Sequence, residues 1–583
     1  MAADQQELIQ NAIVYAREGR LEEAEKAFTQ VRDADPDNPD CYVNLGVVLR
    51  QQGKVDAALA SYQYALSIDP KHSGALYNCA NILRDGRRHQ EAVELYLRAL
   101  KINPEQVAIL NNLGLTLQAL GRQEEAIGYY HQAQKLQPDQ AYLFDNIGNA
   151  YLELKNFPHA MASYRQALDI DPNFTPALAH MGITYSKEDK PDDAIKWLRR
   201  ALAVDPHLID ALNAMGNALR VLNQDQEAIA CFRRALEINP NFPEAISNLG
   251  VAFNDLGNLD QALAAARRAV QISPRNPIYH WTCALVLLRA GHFKEGWNEY
   301  EWRWQRHDFT TPNRDFGKPR WDGSPLDAKT ILIHAEQGVG DTLQFIRYAP
   351  LVAKAGASVV VECQPEVAGL MADVEGVSTV VRQGDKFPNF DTQIPLLSLP
   401  RIFGTEVETI PAFTYLKAPK KPVVKIKPGK KFAVGLVWAG SATHRNDKQR
   451  SIPLETLTPL LDVPECVFYG LQVGDRQKEI KSLDLAEKVI DLSAKLKDFS
   501  ATASVVDQLD LVISVDTAVA HLAGGMGKQT WTLLAFASEW RWLMGRDDSP
   551  WYPSMRLFRQ KSAGDWGDVV EAVGEELGKA AKA

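Results

Sequence analysis

A period of 34 residues runs through the first half of this chain. Pro36, Pro70, Pro104, Pro138, Pro172, Pro206, Pro240 and Pro274 are each 34 positions apart. Ala24, Ala58, Ala92, Ala126, Ala160, Ala194, Ala228 and Ala262 keep the same step. So do Phe28, Tyr62, Tyr96, Tyr130, Tyr164, Leu198 and Phe232, a track broken at Ala266, and Gly46, Gly114, Gly148, Gly182, Gly216 and Gly250, a track broken at Ala80. A fixed period of this length means one supersecondary unit repeated, each copy unable to bury its apolar face alone and therefore stacked on its neighbours.

These landmarks resemble the tetratricopeptide pattern, which implies an α-solenoid of helical hairpins. Eight repeats end on the prolines and a ninth, partial one runs from about Pro277 to Arg306, so the array is expected to span residues 1–307. Arrays of this kind present a concave surface to another chain. Asn44, Asn78, Asn112, Asn146 and Asn248 share one position of their repeats, on the first helix of each pair. Asparagine is a poor residue inside a helix. Its recurrence has two readings: an inward position kept polar by duplication, or a ladder of carboxamides that bonds the backbone of an extended acceptor peptide. The ladder is similar to that inside the repeats of protein O-linked N-acetylglucosamine transferases, and it is interrupted at His180 and Ala214.

The last repeat is aromatic, with Trp297, Tyr300, Trp302 and Trp304 close together. A terminal repeat otherwise needs a polar cap, so this flank is expected to dock on the next domain. Residues 308–326 make a linker. Beyond it the helical period gives way to short apolar runs alternating with amphipathic segments, the mark of parallel βα units. Strands are expected at Thr330 to His334, Ser358 to Glu362, Ser378 to Val381 and Asp391 to Ile394, giving a first Rossmann-like half at 327–416. Residues 417–431 hold seven lysines and three prolines and no acid, the composition of an interdomain linker. A second half, 432–583, offers strands at Phe432 to Trp438, Cys466 to Leu471, Lys488 to Asp491, Leu511 to Val515 and Thr530 to Ala535, and a closing helix from Trp566 to Ala580. Two such halves leave a cleft at the carboxyl ends of their strands.

Three stretches carry candidate chemistry. His334-Ala-Glu336-Gln-Gly338-Val-Gly340-Asp341 follows a strand and opens a helix. Asp341 is a helix cap or a general base, and Glu336 and His334 are rivals for the base, because a helix N-terminus would hold Asp341 ionised but weakly basic. Ser514-Val-Asp516-Thr517-Ala-Val-Ala-His521 also follows a strand, and its amides favour a phosphate. Asp516 is either a cap or a ligand for a sugar hydroxyl. Gly440-Ser-Ala-Thr-His444-Arg445-Asn446-Asp-Lys448-Gln-Arg450 is a glycine turn followed by cations suited to a diphosphate leaving group. Gln472, just past a strand, belongs to the same donor side.

Composition narrows the partners. A net charge of −9 argues against a general nucleic-acid binder. No apolar run is long enough for a membrane span, and Met1-Ala-Ala-Asp lacks the start of a signal peptide, so a cytoplasmic location is expected. The six cysteines are scattered and the histidines unclustered, which suggests neither a disulfide frame nor a metal site. Neither a dinucleotide fingerprint nor a Walker loop is present.

The segments His334 to Pro350, Val434 to Gly440, Asn446 to Pro453, Ser514 to Gly525 and Phe536 to Tyr552 resemble the bacterial tetratricopeptide glycosyltransferases related to lipopolysaccharide heptosyltransferases. That resemblance implies the two-domain GT-B fold and transfer from a nucleotide-sugar without metal or other cofactor. It implies Asp341 as base, Lys448 on the donor phosphate, and Asp516, Thr517 and His521 at the donor turn. The layout, repeats before transferase, is similar to that of protein O-glycosyltransferases and flagellin glycosyltransferases. It implies Ser or Thr of a protein, with flagellin the named candidate, as acceptor; self-association through the repeats is a further expectation. The chain lacks the histidine-rich catalytic segments of the first group, so the sugar and nucleotide stay open. Two other functions stay open as well: a non-catalytic scaffold with a degenerate α/β part, and a transferase acting on a saccharide.

Overall fold

The computed structural model describes residues 2–427, 429–442 and 447–582, with side chains from residue 6 onward. Pro428 of the lysine-rich segment and the candidate donor residues His444, Arg445 and Asn446 lie outside the described residues. The chain divides into two compact units, Met1–Gln224 and Asp225–Ala583.

The first unit is a stack of antiparallel helix pairs, from Ala2–Arg17 and Leu21–Ala34 to the helix Ile209–Val221. The repeat landmarks explain its packing. Tyr62, Tyr96, Tyr130 and Tyr164 are wholly buried. A Cβ added at Gly46 would stand 2.5 Å from the Tyr62 ring, and one at Gly182 would stand 2.5 Å from Leu198 Cγ. The glycine track is thus the slot for the large side chain sixteen residues on. Helix starts use local chemistry: Asn38 accepts a bond from the Asp40 amide at 3.1 Å, with Pro39 fixing the first helical φ.

The second unit begins with the helices Asp225–Ile238, Pro243–Asp255, Leu259–Ile272, Pro277–Arg289 and Phe293–Tyr300. Two parallel sheets follow. The first comprises β1 (Thr330–His334), β2 (Ser358–Cys363), β3 (Val377–Arg382) and β4 (Thr392–Pro395), in the order β3-β2-β1-β4. The second comprises β5 (Phe432–Val437), β6 (Cys466–Gly470), β7 (Val489–Asp491), β8 (Leu511–Val515), β9 (Thr530–Leu534) and β10 (Met555–Arg559), in the order β10-β9-β8-β5-β6-β7. This is the Rossmann order, doubly wound about its first strand. The expected strands are all present. The expected set omits β10, which pairs with β9 at the sheet edge. The closing helix is Gly567–Ala580.

The aromatic end of the array does dock. Phe293, Trp297 and Tyr300 belong to the same core as Phe345, Trp540 and Trp551, and the Trp297 and Trp540 ring centroids are 5.3 Å apart, edge to face. Trp302 has a different neighbour: it stacks on His280 at 3.8 Å. The lysine-rich segment is fastened down as well. Ser504 Oγ accepts bonds from the amides of Val423 and Val424, at 2.8 and 3.3 Å, and Gln508 Nε2 donates to the Val424 carbonyl at 2.7 Å. It is a strap across the Phe499–Val506 helix rather than a loose hinge.

Candidate active site

A cavity of about 710 Å3 opens at the carboxyl ends of both sheets. Its walls come from the segments just beyond β1, β5, β8 and β9: Gln337 to Asp341, Gly440 and Ser441, Asp516 to Ala518, and Ala535 to Arg541. In each sheet the strand order reverses beside the first strand, and open α/β sheets bind their ligands at such points.

On the first half, the chain leaves β1 and turns at Gln337, whose φ of 59° is left-handed. That conformation costs a non-glycine residue about 1–2 kcal/mol. The helix begins at Val339 with Gly338 as its cap, so Asp341 stands one turn inside. One carboxylate oxygen of Asp341 accepts the Gly338 amide at 2.9 Å. The other accepts from Arg541 Nη2. The expected depression of its pKa is reversed. Burial pushes the Asp341 carboxyl up to about 6, against the pull of Arg541 and with a further push from Glu539. A carboxylate so placed is a better base near neutrality than a solvated one.

Its two rivals are occupied elsewhere. Glu336 is buried in a bidentate pair with Arg303, at 2.7 and 2.8 Å, and also accepts the Leu397 amide at 3.0 Å. It anchors the last turn of the repeats and lines no part of the cavity. His334 lies on β1, bonded to Gln393 at 3.0 Å, and burial lowers its pKa to about 3, leaving it neutral and outside the cavity.

Across the cleft, Thr517 rather than Asp516 is the cap residue of the helix Ala518–Gly525, and Thr517 and Ala518 at its start line the cavity. Asp516 precedes it, its carboxyl raised by burial and by Glu539. His521 lies in the same helix, held by Tyr552 Oη at 2.8 Å and stacked on Trp542 at 5.4 Å, and burial drives its pKa well below the usual range. It therefore meets a ligand as a neutral imidazole. A Cβ added at Gly340 would stand 3.1 Å from His521 Cδ2 and 3.7 Å from Ala518 Cα. The glycine is what lets the two helix starts approach.

The expected donor loop is divided. Gly440 and Arg450 line the cavity, the Gly440 amide donates to Ser451 Oγ at 3.0 Å, and Arg450 Nη1 donates to the Asp516 carbonyl at 3.0 Å. Lys448, on the short helix Asp447–Arg450, is exposed and lines none of it. Gln472 does not line it either: its Oε1 accepts the amides of Trp438 and Ala439 at 3.2 and 2.9 Å, so it holds the turn after β5 and is buried.

Sequence reasoning missed Arg541 and Glu539. Arg541 donates to Asp341 and Glu539, and its Nε donates to Gln344 Oε1 at 2.6 Å. The segment is braced, with the guanidinium 4.4 Å from the Trp540 ring centroid, and Leu543 takes φ 50° and ψ −171°, a conformation normally left to glycine. Its signal lay in the position of Ser538-Glu-Trp-Arg541 just after a strand of the second sheet.

In the first unit the asparagine track is tied into the stack. Asn112 Nδ2 donates to Tyr77 Oη at 3.1 Å and to Asn81 Oδ1 at 2.9 Å, and Asn146 Nδ2 donates to Asn111 Oδ1 at 2.8 Å. His180 continues the series with Asp145 at 2.8 Å. Each bond reaches from one repeat to the one before it.

Models of the tetratricopeptide repeat match residues 9–73, 80–121, 105–173, 151–218, 216–257 and 243–276. Residues 9–276 thus carry tetratricopeptide repeats, and a C-terminal α/β part of two parallel sheets follows them. It is similar to Protein FlbA of Caulobacter vibrioides, 28% identical over 327 residues, which covers 50% of this chain and 54% of that protein. The match thus spans about half of that relative's length. Similar solved structures include YrrB, a TPR protein with an unusual peptide-binding site (24% identity, 33% of this chain and 98% of that one, TM-score 0.30). A tetratricopeptide protein of Parabacteroides merdae (19%, 43% and 98%, TM-score 0.38) and pilF of Pseudomonas aeruginosa (20%, 36% and 94%, TM-score 0.32) are others. Among the described residues no helix is long and apolar enough to cross a membrane.

Proposed function

We propose that the α/β part transfers a sugar from a nucleotide-sugar to a hydroxyl of a protein recruited by the repeats. One observation carries this reading: the buried Asp341 carboxyl, tuned to about 6, faces a helix start suited to phosphate across a cavity at the switch points of two Rossmann-type sheets. Asp341 takes the proton of the attacking hydroxyl. The amides at Ala518, with Arg450, meet the negative charge on the departing diphosphate. Asp516 and the neutral His521 offer hydrogen bonds to the sugar or ribose. A cavity of about 710 Å3 is of the size that takes a ligand of a few tens of atoms. Within this reading Ser or Thr of a protein is the acceptor, because eight full repeats are a large apparatus for a small saccharide. Flagellin is the acceptor to try first, from the layout of repeats before transferase.

Calorimetry with ADP, CMP, GDP and UDP and their sugars tests the donor half; binding of one series is expected, and binding of none removes the enzymatic reading. Intact-mass analysis of flagellin co-expressed with this chain and a sugar pathway tests the acceptor half. Unmodified flagellin, with another protein carrying the sugar, would redirect the acceptor assignment.

A further inference from the structure

Among the described residues the cavity is lined by three carboxylates, Asp341, Asp516 and Glu539, and two guanidiniums, Arg450 and Arg541. Arg450 donates to a backbone carbonyl and pairs at 3.6 Å with Asp447, which is not among the residues lining the cavity, whereas Arg541 spends two of its donors on carboxylates of the cavity itself. The rest of Arg541 is fixed: Nε on Gln344 and the plane against Trp540. A planar fork with five donors can exchange one partner while keeping the others.

We propose that Arg541 is a positioning residue through which donor binding arms the base: an entering diphosphate takes over its Nη2, and the Asp341 carboxylate it releases becomes the stronger acceptor of the hydroxyl proton. This rests on reading the cavity as a donor site. Asp341 keeps its orientation after the exchange, because its second oxygen stays on the Gly338 amide. Its other charged neighbours, Glu539 and Glu336, both push its pKa up, and Tyr300, itself raised by burial, is neutral there. His521, across the helix starts, is neutral too. Among these neighbours only Arg541 carries a charge that pulls the carboxyl down, and moving that charge onto phosphate lets the carboxyl rise.

A rise of this kind is visible as proton uptake. For a one-unit increase above about 6, roughly half a proton per site is taken from the buffer at pH 6.5. Calorimetry of the full chain with ADP, CDP, GDP and UDP, at pH 6.5 in two buffers of different ionisation enthalpy, measures it; the nucleotide's terminal phosphate also titrates near this pH, so its own proton exchange is subtracted by comparison with Asp341→Asn. The wild type is expected to take up more protons than Asp341→Asn, which keeps its binding, and Arg541→Gln is expected to lose that excess together with at least tenfold in affinity. Equal proton exchange in the wild type and in Asp341→Asn would overturn the proposal while leaving the donor site standing. Arg541→Gln binding as tightly as the wild type would do the same. If none of the four nucleotides binds the wild type, the donor site itself fails and this inference fails with it.

Discussion

Asp341 is where position decides chemistry. On an exposed helix start its carboxylate would be weakly basic; buried beside Glu539 it titrates near 6. The base must be ionised to act, so kcat/KM for the donor, which reports the free enzyme, is expected to increase as pH rises through about 6 and to level off above it. Removing the Arg541 charge takes away the group that favours the ionised form, so in Arg541→Gln the acid limb of the rate profile moves to higher pH. A profile that stays put would detach Arg541 from the base. Asp341→Asn is expected to keep nucleotide affinity and to lose transfer by about 10²–10⁴-fold. Calorimetry and a transfer assay on the same preparation separate the two effects, and undiminished transfer would remove Asp341 from the mechanism.

At the level of elements, spacing was far more legible than roles. The 34-residue tracks gave the repeats because each landmark has one steric job, seen in the slot that Gly182 leaves for Leu198. Gly182→Ala sets a methyl 2.5 Å from Leu198 Cγ and 3.0 Å from the Ala194 carbonyl, and a loss of about 1–3 kcal/mol is expected in chemical denaturation. The strands were legible as apolar runs, except β10, whose Met-Arg-Leu-Phe-Arg carries two arginines because it lies at a sheet edge. Site roles were less legible for a physical reason. Glu336 and Asp341 are five residues apart, one in the loop after β1 and the other in the first turn of the helix that follows, and only the arrival of Arg303 from the array makes the first a structural ion and leaves the second to the cavity. Gln472 has the type of a ligand-binding residue, and two backbone amides claim its oxygen instead. Arg541 has no local motif, since its partner Asp341 is 200 residues earlier in the chain.

For the whole molecule, the limits of the compact units matter more than the end of the repeat pattern. A chain starting at 225 keeps Phe293, Trp297 and Tyr300 in the core they share with Phe345 and Trp540, and it is expected to unfold cooperatively and bind nucleotide. A chain starting at 308 lacks these aromatics and leaves Glu336 buried without Arg303, a loss of about 3–5 kcal/mol from the ion pair alone, and it is expected not to fold. Circular dichroism of the two fragments decides the point, and equal stability would refute the shared core. Trp297→Ala in the full chain should cost about 3–5 kcal/mol through the same core. The shared core also bears on how such a chain can change over generations. Gain or loss of whole 34-residue units upstream of residue 225 removes none of the described residues that line the cavity, whereas the last repeat cannot be exchanged without rebuilding the wall behind Asp341. Reach and chemistry are therefore heritable apart: lineages can lengthen or shorten the array to suit a new partner while the reaction stays the same.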